Sequence, residues 1–163
     1  MKKLLVLTTS ALLLVACSST KDGAELYGAA NGGWNDDVDI TNLSATALTK
    51  QLQKTGVDVV YFNFNESSLD SQAKADLQKQ AEWLKENPKA LVVIEGRCDE
   101  RGTREYNLAL GEQRANAAQN YLIAKGIAAN RIRTISYGKD KPVVFGSTEE
   151  AWAKNRSATT VAY

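Results

Sequence analysis

The chain has 163 residues, with 20 Lys and Arg against 19 Asp and Glu and a formal charge of +1. This balance gives no excess from which to build the clustered basic face that nucleic-acid binding needs, and the length fits one domain with a proper core plus a tether. There is no histidine, which removes the commonest general base, the commonest metal ligand and the usual neutral-pH switch.

Residues 1–16 read as a signal peptide: Lys2 and Lys3 supply a basic start, and Leu4 to Ala16 form an apolar run interrupted only by Thr8, Thr9 and Ser10. That run is too short to stay in a bilayer as a spanning helix. It ends in Leu14-Val15-Ala16-Cys17, which resembles a bacterial lipobox, where small residues let a peptidase cut ahead of a lipid-modified cysteine. An ordinary signal peptide with a chance cysteine is the alternative. Cleavage leaves 147 residues and removes two lysines, so 18 basic side chains face 19 acidic ones, a charge of about −1. With Cys17 lipidated, Cys98 has no partner for an intramolecular disulfide, and stability rests on packing.

From Ser18 to Asp39 the chain is rich in Gly, Asn and Asp, and its apolar residues form no stripe. It reads as a flexible tether, which as a random coil has a root-mean-square reach of about 25 Å. A short helix over Ser44 to Lys54 follows, with Leu43, Ala47, Leu48 and Leu52 on one side and Gly56 as its stop. The tether region as a whole is taken as 17–56 and the folded domain as 57–163.

Within that domain, Val57 to Phe64 is a nearly continuous β-branched and aromatic run, as a buried strand requires. Ser71 to Asn87 is helical, with Ala73, Leu77, Ala81 and Leu84 on one face, Asp70 or Ser71 as cap and Pro88 beyond the end. Leu91 to Glu95 is a second strand. Arg104 to Lys125 is a long helix with a narrow stripe of Leu108, Gly111, Ala115, Ala118 and Leu122, stopped by Gly126. Ile132 to Tyr137 makes a third strand. Ser147-Thr148-Glu149-Glu150 is a capping-box pattern for a short helix to Asn155, and Thr159 to Tyr163 a final strand. The order β-α-β-α-β-α-β implies an α/β (α+β) sandwich with helices laid on a mixed sheet.

The segment richest in chemistry is Gly96-Arg97-Cys98-Asp99-Glu100-Arg101-Gly102-Thr103 with the helix it feeds. Asp99 lies in the loop leaving the second strand, where sites on α/β sheets gather, and the helix N-terminus beyond it favours an anion. Asn107 and Arg114 are seven residues apart and share a helix face, with Leu110 between them. An aspartate and an arginine lining one small pocket suit a zwitterion, since a guanidinium takes a carboxylate through two parallel bonds while the aspartate takes an ammonium. The same spacing fits a salt bridge that ties loop to helix, and the sequence leaves both open.

The stretch from Val60 to Arg156 resembles the OmpA-like peptidoglycan-binding domain family, in particular its peptidoglycan-associated lipoproteins. The resemblance is carried by Val60-Tyr61-Phe62, by Cys98 to Thr103, by Tyr106-Asn107 with Leu110 and Arg114-Ala115, by Ile135 to Gly138, and by Ala151 to Arg156. It implies that Asp99 and Arg114 clasp the diaminopimelate of the peptidoglycan stem peptide. Asn107, Leu110 and Thr103 would shape the wall of that pocket, and Phe64 and Asn65 would close it. The family usually carries an acid at the position of Asn65, and an amide cannot neutralise an ammonium. The resemblance further implies an outer-membrane lipoprotein, anchored through Cys17, that tethers the membrane to the wall in the Tol-Pal system, with TolB as partner. Ser18 agrees with the outer membrane, since an aspartate there is associated with inner-membrane retention. A relative outside the Tol-Pal system is the alternative. A flagellar-stator relative is disfavoured for want of a permanent spanning helix.

No enzyme, cofactor or metal is expected. Cys98 has Arg97 and Arg101 nearby to lower a thiol pKa, yet no histidine to act as base, so a packed thiol is the simpler reading. Adjacent Asp99 and Glu100 do not suit a wall-cleaving glycosidase, whose two carboxylates must flank a bond from opposite sides. Glu100 reads instead as a solvated acid paired with Arg97 or Arg101. Trp83 and Trp152 read as packing or partner-contact residues.

Overall fold

A computed structural model of the chain describes residues 42–163. The signal peptide, Cys17 and the segment to Asp39 lie outside the described residues. Helix α1 (Asn42–Lys54) comes first, followed by strand β1 (Val59–Tyr61), α2 (Ser71–Glu86), β2 (Val92–Arg97), α3 (Arg104–Ala124), a 3-10 turn (Ala129–Arg131), β3 (Ile132–Gly138), α4 (Glu149–Asn155) and β4 (Ser157–Ala162). The sheet is mixed, with strand order β1-β4-β2-β3: β2 runs parallel to β3, and β4 lies antiparallel between β1 and β2.

Strand periodicity sets the layers. Along β2, Val92, Ile94 and Gly96 are buried while Val93, Glu95 and Arg97 are half-buried, so one face carries the core and the other meets solvent. On the core face α2 contributes Ala73, Leu77, Ala81 and Leu84, and α3 contributes Ala115, Ala118 and Leu122. Leu108, expected in the α3 stripe, is only half-buried. Helix α1, ahead of the expected start of the domain, places Leu52 in this core, and its Thr49 hydroxyl donates to the Ala162 carbonyl at 2.8 Å. Trp83 packs in the core as well.

Caps mark the helix starts. Asp70 accepts from the Ala73 N–H at 2.7 Å at the head of α2, and Thr103 and Thr148 serve α3 and α4. The capping residue of α4 is Thr148, one position later than the expected box implies. The end strands also shift. β4 starts at Ser157, directly after α4, so its partner β1 can pair only through Tyr61 rather than Phe64. The Phe62 N–H still reaches the Arg156 carbonyl at 2.9 Å, and the chain then turns away from the sheet. Gln80, buried on α2, donates to the Val57 carbonyl and accepts from the Thr160 hydroxyl at 2.7 Å, tying helix to sheet through polar contacts that hydrophobic periodicity does not register.

Candidate functional site

Close backbone approach brings the end of β2 and the start of α3 together. A Cβ on Gly96 would stand 1.9 Å from the Gly111 carbonyl oxygen, and one on Gly111 would stand 2.4 Å from the Ser136 hydroxyl. Only glycines permit this helix-to-sheet distance. A bulge in the β2–β3 pairing falls between Gly96 and Arg97, which re-aims the loop that follows. Gly102, at φ +94°, supplies the backbone conformation for the turn into α3. Asn107 then secures that turn, its amide donating to the carbonyls of Arg101 at 2.8 Å and Thr103 at 3.1 Å.

Between this loop and α3 lies a cavity of about 110 Å³, walled by Asp99, Arg101, Asn107, Leu110 and Arg114 and edged by Phe64 and Asn65. It is well below the roughly 300 Å³ at which pockets for whole small molecules begin. Its size suits a head group rather than a complete ligand. Asn107, Leu110 and Arg114 fall on one buried helix face, as their spacing predicts.

Arg114 is 1 % exposed. Its Nε donates to the Glu66 carbonyl at 2.8 Å, Nη1 to the Arg97 carbonyl at 2.9 Å and Nη2 to the Asn63 carbonyl at 3.1 Å. None of the ion pairs among the described residues includes it. The direct Asp99–Arg114 bridge that the spacing allowed is therefore not formed. Burial pushes the guanidinium pKa down, and neighbouring Cys98 and Asp99 push it partly back. A guanidinium has five donors, and carbonyls take three of Arg114's, one from each nitrogen. The Cys98 thiol is a further hydrogen-bond neighbour of the guanidinium, and the remaining donor capacity lies on the terminal nitrogens.

Asp99 is buried and fully engaged. Its Oδ1 accepts from the backbone N–H of Arg101 at 3.1 Å and from Arg101 Nε at 3.2 Å, while Oδ2 accepts from Arg101 Nη2 at 2.6 Å and Arg156 Nη1 at 3.4 Å. Burial raises its pKa, but the hydrogen bonds and charge of Arg101, with help from Arg156, prevail and hold the carboxyl below its ordinary value.

The remaining predicted residues divide. Phe64 is 59 % exposed at the rim. Asn65 stands beside it at φ +59°, a left-handed conformation that asparagine tolerates, and its side-chain carbonyl accepts from the Tyr106 hydroxyl. Thr103 caps α3, accepting from the Tyr106 N–H at 3.2 Å, and is absent from the cavity wall because its hydroxyl is turned to that backbone donor. Tyr106 and Cys98 also line the cavity, although neither was among the residues expected to form its wall.

The environment of Cys98 differs from the expected one. Its neighbouring guanidinium is that of Arg114, not Arg97 or Arg101, and burial outweighs that charge and pushes the thiol pKa up. Its S–H points at the Asn107 carbonyl at 3.3 Å. Glu100 accepts from Trp152 Nε1 at 3.1 Å rather than pairing with either arginine, since Arg97 is drawn to Glu95 and Arg101 to Asp99. Among the described residues no group of three His, Cys, Asp or Glu side chains is placed to hold a metal, and no helix is long and apolar enough to cross a membrane.

Comparison with known proteins gives a consistent picture. The profile of the OmpA family matches residues 61–156. The chain is 49 % identical over 104 residues to the peptidoglycan-associated lipoprotein of Rhizobium meliloti, an alignment covering 64 % of this chain and 59 % of that relative. It is 38 % identical to the peptidoglycan-associated lipoprotein of Pasteurella multocida, over 96 % of this chain and 94 % of that one. Among solved structures, the crystal structure of the peptidoglycan-associated lipoprotein from Burkholderia pseudomallei superposes with a TM-score of 0.63 at 43 % identity, covering 65 % of this chain and 90 % of that one. The C-terminal domain of Helicobacter pylori MotB reaches a TM-score of 0.62 at 19 % identity, over 65 % of this chain and 84 % of that one, a likeness of fold alone.

Proposed function

This chain belongs to the OmpA family and, within it, to the peptidoglycan-associated lipoproteins, and from that premise we propose that its folded domain holds peptidoglycan non-covalently by the amino-acid head group of diaminopimelate in the stem peptide. The observation that carries the reading is Arg114. A buried cation whose hydrogen bonds go to neutral groups, three carbonyls and the Cys98 thiol, is costly, and this one borders a cavity of head-group size. A ligand carboxylate supplies the missing countercharge. Two parallel bonds from the terminal nitrogens would fix its orientation.

In this reading Asp99 receives the ligand's ammonium, Leu110 and Asn107 form the wall, and Phe64 and Asn65 the rim. Asn65 offers a carbonyl oxygen but no charge, so Asp99 is the acid left to answer the ammonium. The domain catalyses nothing: with no histidine in the chain and a buried Cys98 thiol whose pKa is raised, the site lacks an activated nucleophile. Family resemblance adds a lipid anchor at Cys17 in the outer membrane, a place in the Tol-Pal system and TolB as partner.

The test is isothermal titration with a diaminopimelate stem peptide. Removing one member of a desolvated charge pair costs about 2–5 kcal/mol, so Arg114→Ala is expected to weaken binding at least about tenfold. Arg114→Lys should recover only part of it, because an ammonium cannot make the two-pronged contact. Each variant is melted in parallel, since Arg114 also binds three backbone carbonyls. Unchanged affinity in a folded Arg114→Lys protein, with only the melting temperature reduced, would make Arg114 a brace and overturn the assignment.

A further inference from the structure

The four lone-pair directions of the Asp99 carboxylate are all taken, three of them by Arg101. An incoming ammonium would therefore meet an arginine already in its place. That arginine is held as a ligand cation would be: its guanidinium carbon lies 4.1 Å from the centre of the Phe64 ring and 4.2 Å from the Trp152 ring, with Asp99 at its head. Phe64 is also the rim of the cavity.

The two arginines on Asp99 differ in freedom. Arg156 has a side chain 9 % exposed and is pinned by the Phe62 carbonyl at 3.0 Å and by Glu149 at 2.8 Å. Arg101 has a side chain 33 % exposed and faces a second carboxylate, Glu149 Oε2, only 3.9 Å from its Nη1. We propose that Arg101 is an internal competitor for the Asp99 subsite, which closes it when no ligand is present and passes to Glu149 when a ligand ammonium arrives. The inference rests on the diaminopimelate reading of the site and says what that ligand must displace.

The exchange never leaves Asp99 uncompensated. One cation replaces another on a buried carboxylate, which avoids the cost of stranding it. The Arg101 backbone N–H stays on Oδ1 and keeps the carboxylate aimed while the side chain leaves. The Arg101–Glu149 pair is open to water and therefore weak, so the cost of moving the guanidinium off Asp99 is met by the ligand ammonium that replaces it there. A subsite closed in about 70–90 % of molecules lowers apparent affinity by about three- to tenfold.

The experiment is isothermal titration of the detergent-solubilised full chain with a diaminopimelate stem peptide, in wild type and Arg101→Ala, alongside solvent exchange of the Arg101 Nε–H in the wild type by NMR. Arg101→Ala is expected to bind about three- to tenfold more tightly, and the Nε–H to lose its protection as peptide saturates the wild type. Equal or weaker binding by an Arg101→Ala protein that melts like wild type overturns the inference. So does an Nε–H that stays protected at saturation, which also decides the matter if the variant fails to fold. If neither protein binds the peptide, the reading of the site itself falls, and the competitor with it.

Discussion

Asp99 is held ionised by a contest between burial and its donors. Burial raises the carboxyl pKa, while Arg101, through side chain, backbone and charge, together with Arg156, lowers it further than burial lifts it. The folded-state value thus lies below that of the unfolded chain, about 3.9. A group of this kind adds stability that is fully present above the unfolded pKa and is lost as pH falls through the folded one. The gap in melting temperature between wild type and Asp99→Asn is therefore expected to be level from neutral pH to about pH 5 and to shrink below about pH 4. A gap that stays level down to about pH 2 would mean that the asparagine disturbs packing and that the charge is immaterial.

The same residue shows what sequence spacing can and cannot give. Helical periodicity puts Asn107, Leu110 and Arg114 on one face, and all three are found there, buried beside the cavity. The partners of Asp99 follow a local rule instead, in which a short acid accepts from the N–H two residues on. Asp99 to Arg101 obeys it, and Gly102 directly after is the turn residue that could have drawn attention to it. Glu149, at the start of α4, and Arg156, just past its end, reach this cluster from far along the chain, Arg156 lying 57 residues beyond Asp99, and no periodicity encodes that. Family resemblance, through the match at Ala151 to Arg156, marked the segment without indicating its contacts.

At the scale of elements, the site depends on how closely α3 lies on the sheet. Strand and helix order were readable from alternation and 3.6-residue stripes, because each element buries one face. Where β1 ends was not, since that is set by the position at which β4 begins. The approach of Gly96 to Gly111 was equally hidden, as a glycine in a strand and one in a helix do not announce each other. Gly96→Ala would place its methyl 1.9 Å from the Gly111 oxygen, a backbone atom that can yield only if α3 moves. The expected loss is about 1–3 kcal/mol or more, read as a lower denaturant midpoint. Because α3 carries Arg114 while β2 leads to Asp99, peptide affinity should fall in the same variant under conditions where it remains folded. A destabilised Gly96→Ala protein with undiminished affinity would show that the site is set by its loop rather than by the helix-to-sheet distance.

At the scale of the whole molecule, two attachments of different strength are at issue. The cavity is small and offers a few polar contacts, so the hold on the wall is expected to be reversible. Acyl chains contribute about 0.8 kcal/mol per buried CH₂, and two or more together approach permanence. If Leu14-Val15-Ala16-Cys17 directs lipidation, the membrane fraction should depend on Cys17 and the wall interaction on Arg114, each without the other. Cys17 lies outside residues 42–163, which contain the core, the caps and the cavity, so Cys17→Ser should leave the domain folded. That variant is expected to leave the outer-membrane fraction on cell fractionation, to bind purified sacculi as wild type does, and to melt at the same temperature. Cys17→Ser combined with Arg114→Ala should lose both attachments and appear in the soluble periplasmic fraction. Retention of that double variant in the membrane fraction would rule out lipid on Cys17 as the anchor and point to a protein contact elsewhere on the chain. Loss of binding to purified sacculi by Cys17→Ser alone, where no membrane is present to concentrate either protein, would mean that the modified N-terminus itself takes part in the grip on the wall, since confinement raises effective concentration only when both attachments are present.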